Sequence, residues 1–234
     1  MTATNTRAIV ALDVPSFDTA IALVERLGDA CEFYKVGLEL YSADGPRVVR
    51  WLRKHGKSVF VDLKAHDIPN TVRGAARRVA DLGASLFTVH AAGGEAMVRA
   101  AVDGAGPQTE SGCAVLAVTV LTSFDAASYG AATGRSPVTI ADEVARLSGV
   151  AKAAGAFGVV CSGHEAAMVR DGFGGSLRIL VPGVRAAGAD SHDQSRVVTA
   201  AQAAAAGASY IVLGRAVTQA GDPASALRGI LGEL

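Results

Sequence analysis

The chain has 234 residues, half of them hydrophobic, and contains 27 glycines, which favours one large α/β domain over residues 1–234 with an ample core. Its 22 basic and 22 acidic residues cancel, so the sequence has no excess of positive charge of the kind that nucleic acids or anionic membranes usually need. We therefore predict neither a nucleic acid nor a membrane as a partner.

Short apolar runs alternate along the chain with longer amphipathic or alanine-rich segments. The apolar runs predict strands at residues 8–12, 33–36, 58–63, 85–89, 114–120, 156–161, 178–181 and 210–213. The intervening segments predict helices at residues 17–27, 46–55, 69–82, 95–105, 137–154, 164–170, 195–206 and 216–231. Eight strand and helix pairs favour a (β/α)8 barrel, because an open doubly wound sheet more often has fewer strands.

Residues 59–71, VFVDLKAHDIPNT, place charged side chains at the end of an apolar strand. Alternate side chains of a strand share one face, so Asp62 and Lys64 are expected to be neighbours. Asp67 follows, and Pro69 suits the first turn of the next helix. Simpler interpretations are an exposed ion pair between Asp62 and Lys64 and a helix N-cap at Asp67.

In a barrel of this kind, residues at the carboxyl ends of the strands form the functional site. Seven of the predicted strands end in, or are followed by, residues that can form such a site: Asp13, Lys35, Asp62 with Lys64, His90, Thr122, Arg185, and Gly214 with Arg215. Each has a structural alternative. Asp13 could cap a helix, Lys35 could be solvated, and His90 could be a hydrogen-bonded core histidine. Their convergence on one rim favours a functional site.

The loops after the last two strands predict a phosphate site. Residues 182–185, PGVR, and the pair Gly214 and Arg215 provide close backbone approach and a guanidinium that can bind two phosphate oxygens. The loop from Arg185 to Gln194 is long and polar for this position, which is consistent with a lid.

The amino-terminal segment and the cysteines indicate the cellular compartment of the protein. The amino-terminal apolar run before Asp13 is too short for a signal peptide or a membrane span. Cys31, Cys113 and Cys161 are odd in number, far apart and set in apolar runs, which predicts buried free thiols in a reducing compartment. We therefore predict a cytoplasmic protein without a zinc site.

The segments IVALD, FYKVG, DLKAHDIPNT, AVTVLTS, PGVR followed by DQSR, and LGRAVT together resemble the orotidine 5'-phosphate decarboxylase family in its short bacterial form. The resemblance spans the whole chain. It implies a (β/α)8 barrel that acts as a homodimer on orotidine 5'-phosphate, yields UMP, and needs neither a metal nor an organic cofactor. It also implies that the C6 carbanion left by loss of CO2 is stabilised electrostatically.

The resemblance also implies roles for individual residues. Lys64 is the proton donor, Lys35 and Asp62 complete the charged array, and Asp67 is contributed to the partner subunit's site. The implied substrate-binding residues are Asp13, Lys35, Thr71, Thr122, Ser123, Arg185, Gln194, Gly214 and Arg215. The chain departs from the family pattern at Val181, Ala186 and Ala200, which puts the rigidity of the lid in doubt.

Two other functions stay open at this point. One is a Mg2+-dependent sugar-phosphate decarboxylase or lyase, which shares the D-x-K-x-x-D spacing, although His66, Ile68, Pro69 and Thr71 follow the orotidylate pattern. The other is a catalytically silent phosphate-binding barrel, since a fold does not fix a function. Intact Lys35, Asp62, Lys64 and Asp67 argue against a decayed site.

Overall fold

The computed structural model describes residues 6–109, 111–184 and 198–234. Within them, eight parallel strands pair in chain order and close into a barrel, with β1 paired to both β2 and β8. The strands are β1 (Arg7–Ala11), β2 (Phe33–Gly37), β3 (Ser58–Ala65), β4 (Leu86–His90), β5 (Ala114–Val118), β6 (Gly158–Val160), β7 (Arg178–Val181) and β8 (Tyr210–Leu213). The predicted (β/α)8 barrel is confirmed.

Helices connect the strands on the outside of the barrel. They are α1 (Phe17–Leu27), α2 (Leu38–Lys54), α3 (Pro69–Asp81), α4 (Gly94–Ala105), α5 (Ala126–Thr133), α6 (Ile140–Ala153), α7 (Gly163–Phe173), α8 (Ala200–Ala205), α9 (Arg215–Thr218) and α10 (Pro223–Leu231). Helix α1 has the predicted bounds, and α3 begins at the predicted proline. Residues 195–197 of the predicted seventh helix, residues 195–206, lie outside the described residues.

The helices depart from the prediction at three places. Helix α2 begins before Pro46 and kinks at Asp44, whose φ of −153° is not helical, because proline interrupts the hydrogen-bond ladder without ending the helix. The last predicted helix is two helices, since Asp222 caps α10 by accepting from the Ser225 N–H. Helix α5 was not predicted, because it buries only Tyr129 and Gly130 and so lacks an apolar stripe.

Two buried layers fill the fold. One layer packs between the barrel and the helices, and the other lies inside the barrel. At the amino end of the barrel, Phe33 and Tyr210 meet edge to face at 6.2 Å, and the Arg7 guanidinium lies 5.1 Å from the Phe33 ring. The interior is therefore a packed core at the amino end, and side chains that project from the carboxyl end can line a cavity.

The cysteines are free and buried, as predicted. Burial raises the pKa of the Cys113 thiol to about 12, which keeps it protonated and unreactive at neutral pH. Among the helices of the described residues, none is long and apolar enough to cross a membrane.

Candidate active site at the carboxyl end of the barrel

The carboxyl end of β3 departs from regular strand geometry where the charged residues occur. Val61 pairs with Phe87 and Ala65 pairs with Val89, so the register with β4 shifts between these pairs. Lys64 has a φ of +50°, in the left-handed region that few residues other than glycine adopt. Such a conformation is unfavourable for lysine and persists where surrounding contacts fix it.

Asp62 connects the two lysines. Its Oδ2 lies 2.9 Å from Lys64 Nζ and 3.7 Å from Lys35 Nζ. Lys35 Nζ also donates to Asp13 Oδ1 at 2.8 Å. The result is a row of alternating charges, Asp13, Lys35, Asp62 and Lys64, contributed by the ends of three neighbouring strands. Only 8% of Asp62 and 9% of Lys35 is exposed, so the ion pair between these two residues is much less screened than a surface pair.

Two residues that the sequence analysis assigned no role support this row. A Cβ atom at Gly37 would lie 2.8 Å from Lys35 Nζ and 3.0 Å from Asp13 Oδ1, so glycine leaves the space that the ion pair occupies. Thr88 Oγ1 donates to Asp62 Oδ1 at 2.8 Å. The signals that could have found them are a glycine two residues after Lys35 on the same strand face and a hydroxyl within the apolar strand β4.

The row borders a cavity of about 270 Å³ at the carboxyl end of the barrel, near the lower end of the usual size of ligand pockets. Barrel-interior side chains such as Phe60 and Val118 form part of its apolar lining. Its polar and backbone lining comprises Asp13, Lys35, Asp62, Lys64, Thr122, Pro182, Gly183, Gly214 and Arg215. The structure thus brings the residues after β5, β7 and β8 to the same cavity as the charged row.

Other predicted site residues lie elsewhere. Asp67, Thr71 and Ser123 are exposed and do not line the cavity of the single chain. Arg185 and Gln194, and with them the predicted lid, lie outside the described residues. The N-cap interpretation of Asp67 is wrong: the N-cap of α3 is Ile68, and Asp67 Oδ1 accepts from the Ile68 N–H at 2.6 Å.

His90 ends β4 and packs beside His66, with the ring centroids 5.6 Å apart. Burial lowers the pKa of His90, and the neighbouring His66 and Lys64 charges lower it further. The neutral imidazole is therefore the favoured form at neutral pH. Neither histidine is part of the cavity lining.

Histidine, cysteine, aspartate and glutamate, whose side chains bind most metal ions in proteins, occur throughout residues 6–109, 111–184 and 198–234. No group of three or more histidine, cysteine, aspartate or glutamate side chains in these ranges is arranged to hold a metal ion.

Fold and site together define a class: a (β/α)8 barrel with an alternating lysine and carboxylate row at the mouth of the barrel. Comparison with known proteins gives the particular family. Residues 6–230 match the orotidine 5'-phosphate decarboxylase / HUMPS family, and the chain belongs to that family, as its motifs predicted.

Curated relatives are similar over almost their full length. An orotidine 5'-phosphate decarboxylase of Anaeromyxobacter dehalogenans is 53% identical over 224 residues, which cover 96% of this chain and 96% of the relative. One from Moorella thermoacetica is 44% identical and covers 97% of this chain and 92% of its own length.

Two solved structures that resemble this chain carry the same protein name as these curated relatives. The crystal structure of orotidine 5'-phosphate decarboxylase from Lactobacillus acidophilus superimposes with a TM-score of 0.86 at 36% identity, covering 97% of this chain and 98% of the other. The enzyme of that name from Pyrococcus horikoshii gives a TM-score of 0.75 at 28% identity, with the same coverage.

Proposed function

We propose that this chain decarboxylates orotidine 5'-phosphate to UMP, the last step of UMP synthesis, as a single catalytic domain over residues 1–234 without a metal or organic cofactor. The observation that carries the proposal is the row Asp13, Lys35, Asp62 and Lys64 at the cavity mouth in a chain of this family. The buried free thiols support a cytoplasmic location.

The chemistry requires a cation at a defined place. When the bond between C6 and the carboxylate breaks, CO2 leaves and the electron pair stays on C6 in an sp2 orbital that the ring cannot delocalise. A preorganised ammonium at C6 stabilises that charge. Lys64 then transfers one N–H proton to C6, which gives UMP, and the neutral amine regains a proton from solvent.

The other members of the row position the substrate and the lysine. Asp62 holds Lys64 Nζ by a 2.9 Å hydrogen bond, which restricts a long and otherwise mobile side chain. Asp13 and Thr71 are proposed to contact the ribose hydroxyls or neighbouring groups, and Lys35 completes the charged array. Thr122 and Ser123 are proposed to bind the pyrimidine edge. Of these, Thr122 already lines the cavity, whereas Ser123 is exposed.

The phosphate is proposed to bind at the loops after β7 and β8. Gly183, with a φ of +73°, and Gly214 both line the cavity and allow an oxygen to approach the backbone closely. Arg215 lines the same cavity and supplies a guanidinium. Arg185 and Gln194 are proposed to complete the phosphate site.

We also propose a two-fold homodimer in which Asp67 serves the partner's site. Residues 66–71 are exposed in succession, and among them Ile68 is 68% exposed. Leu38, which follows the end of β2 at the same rim, is 58% exposed. Exposed large aliphatic side chains beside a charged site are typical of an interface, and an isologous contact places the same segment in both sites.

The reaction is tested by following the orotate absorbance of orotidine 5'-phosphate with the purified chain, with and without EDTA. We expect the same rate of loss in both. Activity that appears only with added Mg2+ would favour the sugar-phosphate decarboxylase or lyase function, and no loss under either condition would favour a silent phosphate-binding barrel.

The shared site is tested by complementation. Lys64→Ala and Asp67→Asn homodimers should each be nearly inactive. After equal amounts are co-refolded, about half of the dimers are mixed, and one of the two sites in each mixed dimer has both wild-type residues, so activity should return to about a quarter of wild type. If mass spectrometry shows exchange and the activity does not rise, Asp67 serves its own chain.

A further inference from the structure

Thr88 lies in β4 opposite the distorted part of β3, and its side chain is completely buried. It falls between Phe87 and Val89, the two β4 residues that pair with Val61 and Ala65. Residues 62–64 of β3 therefore face a single residue of β4. The backbone there cannot form a regular ladder, and a side chain has to satisfy its buried polar groups.

The Thr88 hydroxyl satisfies polar groups of β3 both as a hydrogen-bond acceptor and as a donor. Lys64 N donates to Thr88 Oγ1 at 3.0 Å, and Thr88 Oγ1 lies 2.8 Å from Asp62 Oδ1. An amide N–H only donates and an ionised carboxylate only accepts, so the hydroxyl accepts from Lys64 and donates to Asp62. The two hydrogen bonds thus fix the orientation of the hydroxyl proton.

The two carboxylate oxygens of Asp62 therefore have different partners. The Thr88 hydroxyl binds Oδ1, while the nearest lysine nitrogens, Lys64 Nζ at 2.9 Å and Lys35 Nζ at 3.7 Å, approach Oδ2. The same hydroxyl holds the Lys64 amide in the left-handed conformation, from which the lysine side chain turns back toward Asp62. One buried oxygen therefore sets both the carboxylate rotation and the backbone of the lysine.

We propose that Thr88 is a positioning residue for Lys64 and Asp62, and that it acts through the hydroxyl. The expected change in kcat rests on the proposed function. The expected change in the geometry of Asp62 and Lys64 rests on the hydrogen bonds alone. Valine has nearly the shape of threonine without the hydroxyl, so Thr88→Val would leave the Lys64 N–H and Asp62 Oδ1 without this partner. Serine retains the hydroxyl and loses one methyl group.

The kinetic test compares Thr88→Val, Thr88→Ser and wild type. We expect Thr88→Val to lower kcat about 100-fold, the scale of a small misplacement of catalytic groups, with KM changed by less than about threefold because the phosphate contacts remain. Thr88→Ser should recover kcat to within about tenfold of wild type. Thr6→Val is the matched control, since its hydroxyl donates to Ala208 O at the amino end of the barrel.

Crystal structures of the variants separate failure of this inference from failure of the proposed function. In Thr88→Val, Asp62 should rotate and the Lys64 φ should leave its value of +50°, whether or not the protein decarboxylates orotidine 5'-phosphate. Wild-type kcat or an unchanged Asp62 and Lys64 geometry in Thr88→Val would overturn the inference. If that variant does not fold, Thr88→Cys replaces it, and kcat equal to that of Thr88→Ser would overturn the inference, because a thiol is a weak donor.

Discussion

Two clusters in this molecule each bury a carboxylate between two cations. At the cavity, Asp62 meets Lys64 and Lys35. On the outer layer, Glu143 of α6 accepts from Arg146 Nη2 at 2.6 Å and Arg135 Nη1 at 2.9 Å. Both carboxylate residues are less than a tenth exposed, so burial alone does not distinguish them.

The clusters differ in what surrounds the cations. Tyr129 Oη and Arg146 Nε also donate to Glu143, so both of its oxygens accept two hydrogen bonds. The Arg146 and Arg135 hydrogen bonds lower the pKa of Glu143 to about 2. This network joins α5 to α6. Arg135 lines a surface pocket beside α5, whereas Tyr129, Glu143 and Arg146 do not line it. The lysines at Asp62 instead line an open cavity, so their remaining N–H groups can reach a ligand. A closed network stabilises the fold, whereas an open one can bind and react.

The largest effect should come from breaking the open cluster at Lys64. Lys64→Ala removes both the charge beside C6 and the proposed proton donor, so we expect turnover of orotidine 5'-phosphate to fall by about four powers of ten or more. The thermal melting temperature should change little, because Lys64 lies at the rim. Lys54→Ala, at an exposed lysine near the end of α2, is the control and should keep wild-type turnover. Activity of Lys64→Ala within tenfold of wild type would remove Lys64 from the proposed role.

The parts of the fold that the sequence predicted have repeating local patterns, whereas the helix that it missed depends on a contact with a later element. Strands and long helices have apolar patterns that repeat, and all eight strands and the bounds of α1 followed from them. Helix α5 has no apolar stripe and depends on the Asp125 and Ser128 capping box and on Glu143, which lies beyond it in the chain. The contact with Glu143 joins different elements and does not appear in a local pattern, so α5 was not predicted.

The prediction of the site from the sequence was limited in the same way, because it too depends on contacts between different elements. The placement of Asp62, Lys64, Thr122 and Arg215 at one cavity followed from the rule that strand ends converge. The left-handed Lys64 and its support by Thr88 did not follow, because regular alternation along β3 was expected to make the two charged residues neighbours. The sequence could not show that the strand is distorted there.

A second effect concerns the proposed phosphate site, which lines the same cavity as the open cluster. Arg215→Ala should lower kcat/KM for orotidine 5'-phosphate by about two to four powers of ten, the range for a lost charged contact in a desolvated site. The unphosphorylated nucleoside should be turned over equally slowly by variant and wild type. Arg228→Ala on α10, an exposed arginine, is the control. Equal losses on both substrates would mean that Arg215 acts on the pyrimidine or on the fold.

A smaller effect is expected from crowding the open cluster without removing a charge. Gly37→Ala places a methyl group 2.8 Å from Lys35 Nζ and 3.0 Å from Asp13 Oδ1, which is too close for the present positions of these atoms. Gly37 has a φ of −92°, which alanine adopts readily, so the flexible end of Lys35 should move and the fold should stay intact. We expect kcat/KM to fall about 10- to 100-fold, as small displacements of positioned groups do.

Gly149→Ala is the control for this substitution, because a Cβ atom there meets nothing within 4 Å. It should leave activity unchanged and, in the interior of α6, stabilise the protein slightly. Wild-type activity in Gly37→Ala would show that the ion pair between Lys35 and Asp13 has room to shift without consequence.

The smallest effect on chemistry is expected from the closed cluster. Glu143→Gln keeps the shape of the side chain and removes its charge, so the free energy of unfolding should fall by about 1–3 kcal/mol, while turnover per folded molecule stays near wild type. Because the folded-state pKa of Glu143 lies below the ordinary value, at about 2 against 4.5, the stability that its charge contributes is complete above about pH 4.5 and is lost as the pH falls toward 2. The free energies of unfolding of wild type and Glu143→Gln, measured by denaturant titration between pH 7 and pH 2, should therefore converge at the acid end. Glu25→Gln, at an exposed position on α1, is the control and should follow wild type throughout. A difference that stays constant across that range would mean that the shape of the network, and not its charge, stabilises the junction of α5 and α6.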